Sequence, residues 1–424
     1  MIARRLQGFL KIRPGEERAA LRLLALMVVA MAGAAVGANG VESLFFSRIG
    51  PSLLPYLYVA LGPITFALMI GAGALLPGEA TRFLVRLPLV LAATLLVGRG
   101  VLELDLRWFY PVLWLMMMVL WTAQLMGSWG LAGAFSDTRQ AKRLFPLYGA
   151  GLIAGAVVGG LATGPLANAI HAENLLFVWM AALIAMHLLA RSLAEPKAED
   201  SRSRRRSRRP GFIRPIGEGL GDVVTWPLLR WMSLSMVLFA ALYFTLALLF
   251  AEAATARFPR TDDLAGFLGL FMGATNGAAL LVSLLVANRL FARFGLPAMV
   301  LALAAVYLAG YAALTVGATF GALVAFRFVQ MVWVNGVWTT GWQALFNVVP
   351  AERRARIRSF MDAGPLQAGI VLSGVLMILA ERVLAPEHVY VVGAVIASLA
   401  LWSMWRARRA YGSALVQALR SGKP

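Results

Sequence analysis

Cysteine is absent from this chain of 424 residues, which excludes disulfides, thiolate metal sites and cysteine nucleophiles. The three histidines, His171, His187 and His388, are scattered along the sequence, so we expect no histidine metal site. The sequence also lacks the Gly-x-x-x-x-Gly-Lys-Ser/Thr, His-Glu-x-x-His and Gly-x-Ser-x-Gly motifs. We therefore expect neither an enzyme nor a bound metal or cofactor.

Acidic residues are scarce: 20 Asp and Glu stand against 39 Lys and Arg, which gives a net charge of +19. In a soluble protein such a surplus is typical of nucleic-acid binding. However, 60% of the residues are hydrophobic and only 14% are charged, and the apolar residues come in runs of about 20, enough to cross a bilayer as a helix. These runs predict an all-α integral membrane protein with no nucleic-acid partner.

Twelve apolar runs are long enough to be transmembrane helices. They cover approximately residues 21–46, 53–76, 84–102, 109–135, 145–167, 174–193, 228–251, 264–287, 297–316, 320–348, 363–383 and 389–405. The resulting organisation is a basic leader (1–20), a six-helix bundle (21–193), a basic linker (194–227), a second six-helix bundle (228–405) and a tail (406–424).

The basic residues are distributed unevenly between the two sides of the predicted membrane. Only seven of the 39 lie on or near one side, namely Arg48, Arg99, Arg107, Arg257, Arg260, Arg327 and Arg382. Because Lys- and Arg-rich loops stay in the cytoplasm, both termini and the linker are predicted to be cytoplasmic. The linker carries the densest run, Arg202 to Arg209, which we interpret as a topological anchor and a site for anionic lipids.

One charged loop occurs twice. Asp137-Thr138-Arg139-Gln140-Ala141-Lys142-Arg143 precedes the fifth run, and Glu352-Arg353-Arg354-Ala355-Arg356-Ile357-Arg358 precedes the eleventh at a shift of 213 residues. Small residues follow both loops, although a chance match of two basic loops is a competing explanation. Two parallel six-helix repeats are the organisation of major facilitator transporters. We therefore predict two pseudo-symmetric six-helix bundles of that kind.

The segment from Asp137 to Gly160, with Gln140-Ala141-Lys142-Arg143-Leu144-Phe145 and its glycine-rich helix, resembles the equivalent segment of the nucleotide (ATP/ADP) transporter family. That family is a branch of the major facilitator group. The leader Ile12-Arg13-Pro14-Gly15-Glu16 is similar to one in its bacterial members. The resemblance implies antiport of a nucleotide or another organic anion, across a bacterial inner (plasma) membrane. The chain departs from the family at Gly40-Val41-Glu42-Ser43-Leu44, where the exchangers carry a basic motif.

The tenth run has the richest set of polar and aromatic side chains. Arg327, Gln330, Trp338 and Trp342 share one helix face, with Asn335 at its edge. A cation, an amide and two indoles suit an anionic or aromatic substrate, so we predict that they bind it. Packing or the membrane interface is the alternative for the tryptophans. Gln124 and Trp121 of the fourth run are predicted to form the matching wall.

Three further sets of residues are candidates for parts of a transport cycle. Glu42, near the end of the first run, is predicted to be a proton-coupling site or else an ordinary interfacial charge. The charged residues beside the repeated loops are predicted to form gating ion pairs or simply positive-inside loops; they are Asp137, Arg139, Arg143 and Asp362. Gly151, Gly155 and Gly159 repeat at four-residue spacing, which predicts a closely packed helix face.

These features predict a monomeric secondary transporter that moves a small-molecule substrate by alternating access. Two other functions remain open. A proton-coupled exporter of amphipathic small molecules would suit a Trp-lined cavity. A non-transporting membrane scaffold or sensor would use the basic linker as its docking site.

Overall fold

A computed structural model describes residues 16–75, 80–194, 221, 223, 225–350, 353–354, 357–358, 360–361, 364–383, 385 and 388–420. Over these residues the chain is helical and contains no strand, and twelve helices are long and apolar enough to cross a membrane. They are α1 (Glu17–Arg48), α2 (Leu54–Leu75), α3 (Ala80–Leu102), α4 (Phe109–Phe135), α5 (Thr138–Ile170), α6 (Leu175–Ala194), α7 (Pro227–Arg257), α8 (Thr261–Phe294), α9 (Leu296–Val316), α10 (Phe320–Val348), α11 (Pro365–Val383) and α12 (His388–Arg420). The predicted all-α class and the count of twelve are confirmed.

Local sequence accounts for several helix ends. α1 stops before Gly50, whose φ of 98° breaks the helix, and Pro51 opens the next turn. Asp137 and Gln140 form a capping box at the start of α5, because each side chain bonds the other residue's backbone N–H. At α10 the Thr319 hydroxyl accepts from the N–H of Ala322 at 3.2 Å.

The helices group into two compact units. The first contains α1, α3 to α6 and the part of α8 up to Gly277. Within it, α1 packs against α4, α5 and α6. The glycines Gly151, Gly155 and Gly159 face α1, where added Cβ atoms would meet Leu24, the Val28 carbonyl and the Ala32 carbonyl. At these positions α5 and α1 therefore approach through backbone atoms.

The second unit contains α2, α7, α9 to α12 and the rest of α8. In this unit α11 packs against α2 and α7, while α12 packs against α7 and α9. The units follow contacts and not sequence order, since α2 belongs to the first half of the chain and the start of α8 to the second. The division at the basic linker stays a prediction, and residues 201–210 lie outside the described part.

Two helices of the second unit contain a π-helical turn. These turns are Ser283–Ala287 in α8 and Val334–Trp338 in α10. They pack against each other, and a Cβ at Gly336 would lie 3.0 Å from the carbonyl oxygen of Ala279. π-helical turns concentrate at functional sites, so this part of α10 is of particular interest.

Candidate functional site

Arg327 lies inside the second unit with only 7% of its surface exposed. Its Nη1 donates to the Tyr243 carbonyl at 3.2 Å and to Gln330 Oε1 at 3.0 Å. The guanidinium carbon lies 4.3 Å from the centre of the Tyr243 ring, a cation–π contact. Among the residues that the structure describes, no carboxylate forms an ion pair with Arg327. The positive charge is therefore buried without an acidic partner.

Aromatic rings surround this part of α10. Tyr307 and Tyr311 of α9 are fully buried, and Phe326 packs edge-on against both rings. The Tyr311 hydroxyl donates to the Leu242 carbonyl at 3.2 Å. The Tyr307 hydroxyl lies close to the Gln330 side chain. Such surroundings solvate a cation poorly, so a buried guanidinium with only neutral partners is costly to retain.

Three buried N–H groups of α10 have no hydrogen-bond partner within the described chain. They belong to the Gln330 amide nitrogen and to the indoles of Trp338 and Trp342. The two indoles stack with centroids 5.0 Å apart and planes 22° apart. Trp342 is 2% exposed and joins the core of the unit, whereas Trp338 is half-buried. Asn335 is half-buried in the π-helical turn.

The matching residues of α4 lie in a different environment. The Gln124 Nε2 donates to the Ala30 carbonyl of α1 at 2.6 Å, and its Oε1 accepts from the Trp179 indole of α6 at 2.6 Å. Gln124 is thus held by helices of its own unit, while Trp121 is half-buried on the same helix. Their predicted contact with substrate stays a prediction.

Glu42 lies half-buried on α1, six positions before the end of that helix at Arg48. Asn39, almost one turn earlier, is 4% exposed, and its amide donates to the Thr163 hydroxyl of α5 at 3.2 Å. Proton coupling at Glu42 stays a prediction.

Two of the residues predicted to gate transport, Asp137 and Arg143, make contacts within the first unit. Asp137 caps α5, and Arg143 pairs with Glu16 at 2.6 Å. Glu16 also accepts from the Gln140 amide at 3.3 Å, while Arg139 is exposed. Asp362 lies outside the described residues. The ion pair joins the leader to the loop, the two segments that carry the family resemblance.

Several residues around Arg327 were not predicted from the sequence. The four-residue spacing of Tyr307 and Tyr311 in an aliphatic run does signal a shared helix face. The contact with Tyr243 has no such signal, because 84 positions separate it from Arg327.

The ion pair of the first unit was not predicted from the sequence either. Glu16 lies 127 positions from Arg143, and no local pattern links the two.

No family model and no curated protein matches the chain, but solved structures do. A mutant of the nucleoside transporter NupG has a TM-score of 0.66 at 14% identity, over 92% of this chain and 99% of that one. A bacterial homologue of the iron transporter ferroportin, inward-facing, has a TM-score of 0.65 at 15% identity, over 91% and 98%. The inward-open xylose transporter XylE from E. coli has a TM-score of 0.59 at 14% identity, over 91% and 95%. The likeness confirms the predicted major facilitator fold.

Proposed function

We propose that this protein is a secondary transporter that carries a small organic anion, and that Arg327 binds the anionic group. The observation that carries the proposal is the burial of Arg327 without a carboxylate partner in the described chain. A buried charge inside a membrane protein is costly and is retained where it has a function. A substrate that brings its own negative charge supplies the missing partner.

The groups near Arg327 on α10 have a common chemical character. The Oε1 of Gln330 accepts a hydrogen bond from Arg327, and its amide nitrogen has no partner. An amide nitrogen acts only as a donor. The indoles of Trp338 and Trp342 are also donors only. Together with the guanidinium, these donors favour a ligand rich in acceptors, such as a carboxylate or a phosphate.

The spacing of these donors bears on the size of the anion. Gln330 and Trp338 are eight positions apart, which corresponds to about 12 Å along a helix. A ligand that reaches both would pair its charged group with Arg327 and place a second polar group near Trp338. A planar or aromatic body between them would pack against Phe239, whose ring lies 5.8 Å from that of Trp338.

The number of buried cations favours a small anion over a nucleotide. Arg327 is the one buried basic side chain in the part of the chain that the structure describes. A nucleoside triphosphate brings about four negative charges, which several fixed cations must balance in a low-dielectric site. We therefore place carboxylates and monophosphates ahead of ATP and ADP as substrates.

The solved structures of this fold support transport as the activity. Their names describe a nucleoside transporter, a xylose transporter, a homologue of an iron transporter and a POT family transporter in complex with a conjugated peptide, so one fold is found with very different ligands. The choice of an anion comes from Arg327 and the hydrogen-bond donors near it on α10, and not from these names. Coupling to protons through Glu42 and gating by the charged loops belong to the same proposal.

The proposal is tested with purified protein in liposomes, by measuring uptake of labelled benzoate, succinate, a sugar monophosphate, ATP and an uncharged nucleoside, with and without a pH gradient. We expect a small anion to be taken up, and Arg327→Gln to lower that uptake by roughly 100-fold or more, because a charge-assisted bidentate contact is lost. Arg327→Lys should keep part of the activity, since lysine retains the charge without the planar fork.

Arg86→Gln is the matched control, because Arg86 is a basic residue of a membrane-spanning helix that is exposed and not buried. Its uptake should equal that of the unchanged protein. Uptake of anions by Arg327→Gln at the normal rate, with the protein correctly folded, would contradict the assignment. Uptake of the nucleoside alone would contradict the anionic substrate and leave transport standing.

A further inference from the structure

The last helix carries a continuous exposed stripe that changes character along its length. Val395 and Leu399 are 56% and 50% exposed, and Trp402 and Trp405 follow at 47% and 37%. Exposed Arg406 and Arg409 come next. At about 100° per residue these six side chains fall within one arc of about 120°. The stripe therefore runs from aliphatic through indole to cationic side chains on one side of α12.

The opposite side of α12 fixes the helix against the second unit. Ala397, Ala400, Met404 and Ala407 are fully buried in its hydrophobic core. Ser403 also shares a hydrogen bond of 2.9 Å with Ser235 of α7. The stripe is thus the outward face of a firmly packed helix, and its orientation does not depend on a mobile tail.

The length of α12 places the cations at the membrane surface. The helix has 33 residues, about 50 Å, whereas a hydrocarbon core of about 30 Å needs about 20 of them. Counted from His388, twenty residues end at Ala407, so the helix leaves the hydrocarbon between Trp405 and Arg409. The indoles consequently lie close to the interface, and the long side chains of Arg406 and Arg409 reach the depth of the lipid phosphates.

The indoles hold both guanidinium groups. The Arg406 guanidinium carbon lies 5.1 Å from the Trp231 ring and 5.8 Å from the Trp402 ring, and these two indoles pack edge-to-face at 5.0 Å. The Arg409 guanidinium carbon lies 3.6 Å from the Trp405 ring. Arg409 is thus at stacking distance from its indole, and Arg406 is within cation–π range of two. A guanidinium held by an aromatic ring keeps N–H groups available for an oxyanion. Neither arginine forms an ion pair with a carboxylate in the described chain.

We propose that this stripe binds an anionic phospholipid of the leaflet on the C-terminal side of the membrane. Arg406 and Arg409 bind the phosphate, the indoles lie beside the glycerol region, and an acyl chain runs along Leu399 and Val395. The proposed site is separate from Arg327 and does not depend on the transported substrate. It also differs from the basic linker, where lipid binding was predicted from sequence.

The test measures lipid binding to the full-length protein in detergent, by native mass spectrometry and by the thermal shift that phosphatidylglycerol or phosphatidylcholine produces. We expect phosphatidylglycerol to bind more tightly. An R406Q/R409Q double variant should lose roughly thirtyfold in phosphatidylglycerol affinity. Each basic residue near an anionic surface raises the affinity by roughly five- to sixfold, and the double variant loses two of them. Phosphatidylcholine binding should change little.

The matched control is R289Q/R293Q, which removes the same charge from two exposed arginines near the end of α8, where Arg293 contacts a single ring at 5.3 Å. It should keep phosphatidylglycerol affinity. An equal loss in both double variants would mean a diffuse charge effect and overturn the proposal. So would an R406K/R409K protein that binds like the unchanged one, since stacking and the planar fork would then be irrelevant. Inorganic phosphate that gives the same thermal shift as the lipid would overturn the lipid as occupant.

Discussion

Helices α4 and α10 hold equivalent positions in the predicted repeat, yet their polar side chains are used differently. Gln124 of α4 has both ends of its amide occupied, by the Ala30 carbonyl and the Trp179 indole. Gln330 of α10 has its oxygen occupied by Arg327 and its nitrogen unpaired. A satisfied buried amide stabilises helix packing, whereas an unsatisfied one has free capacity for a ligand. We therefore expect Gln124 to stabilise the fold, and Gln330 to bind the ligand of the proposed function.

The largest effect should come from Gln124→Leu. Leucine leaves the Trp179 indole N–H and the Ala30 carbonyl without their partner, and each loss of this kind costs about 1–3 kcal/mol in the free energy of unfolding. We expect a lower melting temperature in detergent, together with an unchanged dissociation constant for whichever anion meets the proposed function. An equal melting temperature would show that the two bonds do not hold α4 to α1 and α6.

Gln330→Leu should have the opposite profile. The free amide nitrogen can bond a charged ligand, a contact of about 1.5–3 kcal/mol, so the dissociation constant should rise roughly 10- to 100-fold. The melting temperature without ligand should fall less than in Gln124→Leu, because Gln330→Leu removes one hydrogen bond, from Arg327 to Oε1, while Arg327 keeps the Tyr243 carbonyl, whereas Gln124→Leu removes two. Isothermal calorimetry and thermal unfolding of both variants give the comparison. The proposed difference between the two glutamines would be wrong if Gln330→Leu had the same melting temperature as Gln124→Leu and an unchanged dissociation constant for the anion.

The twelve helices were predictable because about 20 apolar residues in a row have no other stable arrangement in a bilayer. The hydrogen-bond partners of Gln124 and Gln330 were not predictable from the sequence. Gln124 meets partners 94 and 55 positions away, and hydropathy says nothing about which carbonyl or indole faces it. The continuation of α12 from the predicted end at Trp405 to Arg420 was also hidden, since its last turns are polar.

The repeated loops differ between the units as well, and this difference predicts the smallest effect. In the first unit Arg143 pairs with the Glu16 carboxylate at 2.6 Å, where 19% and 11% of the two side chains are exposed. In the second unit Arg354 donates to the backbone carbonyls of Val349 and Asn347 at 3.0 Å. The first contact joins two opposite charges, and the second joins a cation to neutral groups.

The salt dependence of the free energy of unfolding distinguishes these two kinds of contact. Glu16→Gln should lower the free energy of unfolding by about 1 kcal/mol, because the amide oxygen can still accept a hydrogen bond from Arg143 and only the charge attraction of this partly buried pair is lost. The difference from the unchanged protein should shrink from about 0.05 M to about 1 M salt, where the Debye length falls to about 3 Å. Arg354→Gln should cost a similar amount at both concentrations, because carbonyls carry no net charge to screen. A salt-independent effect of Glu16→Gln would show that Glu16 acts through hydrogen bonds, including the one from Gln140, and that the two loops use their arginines alike.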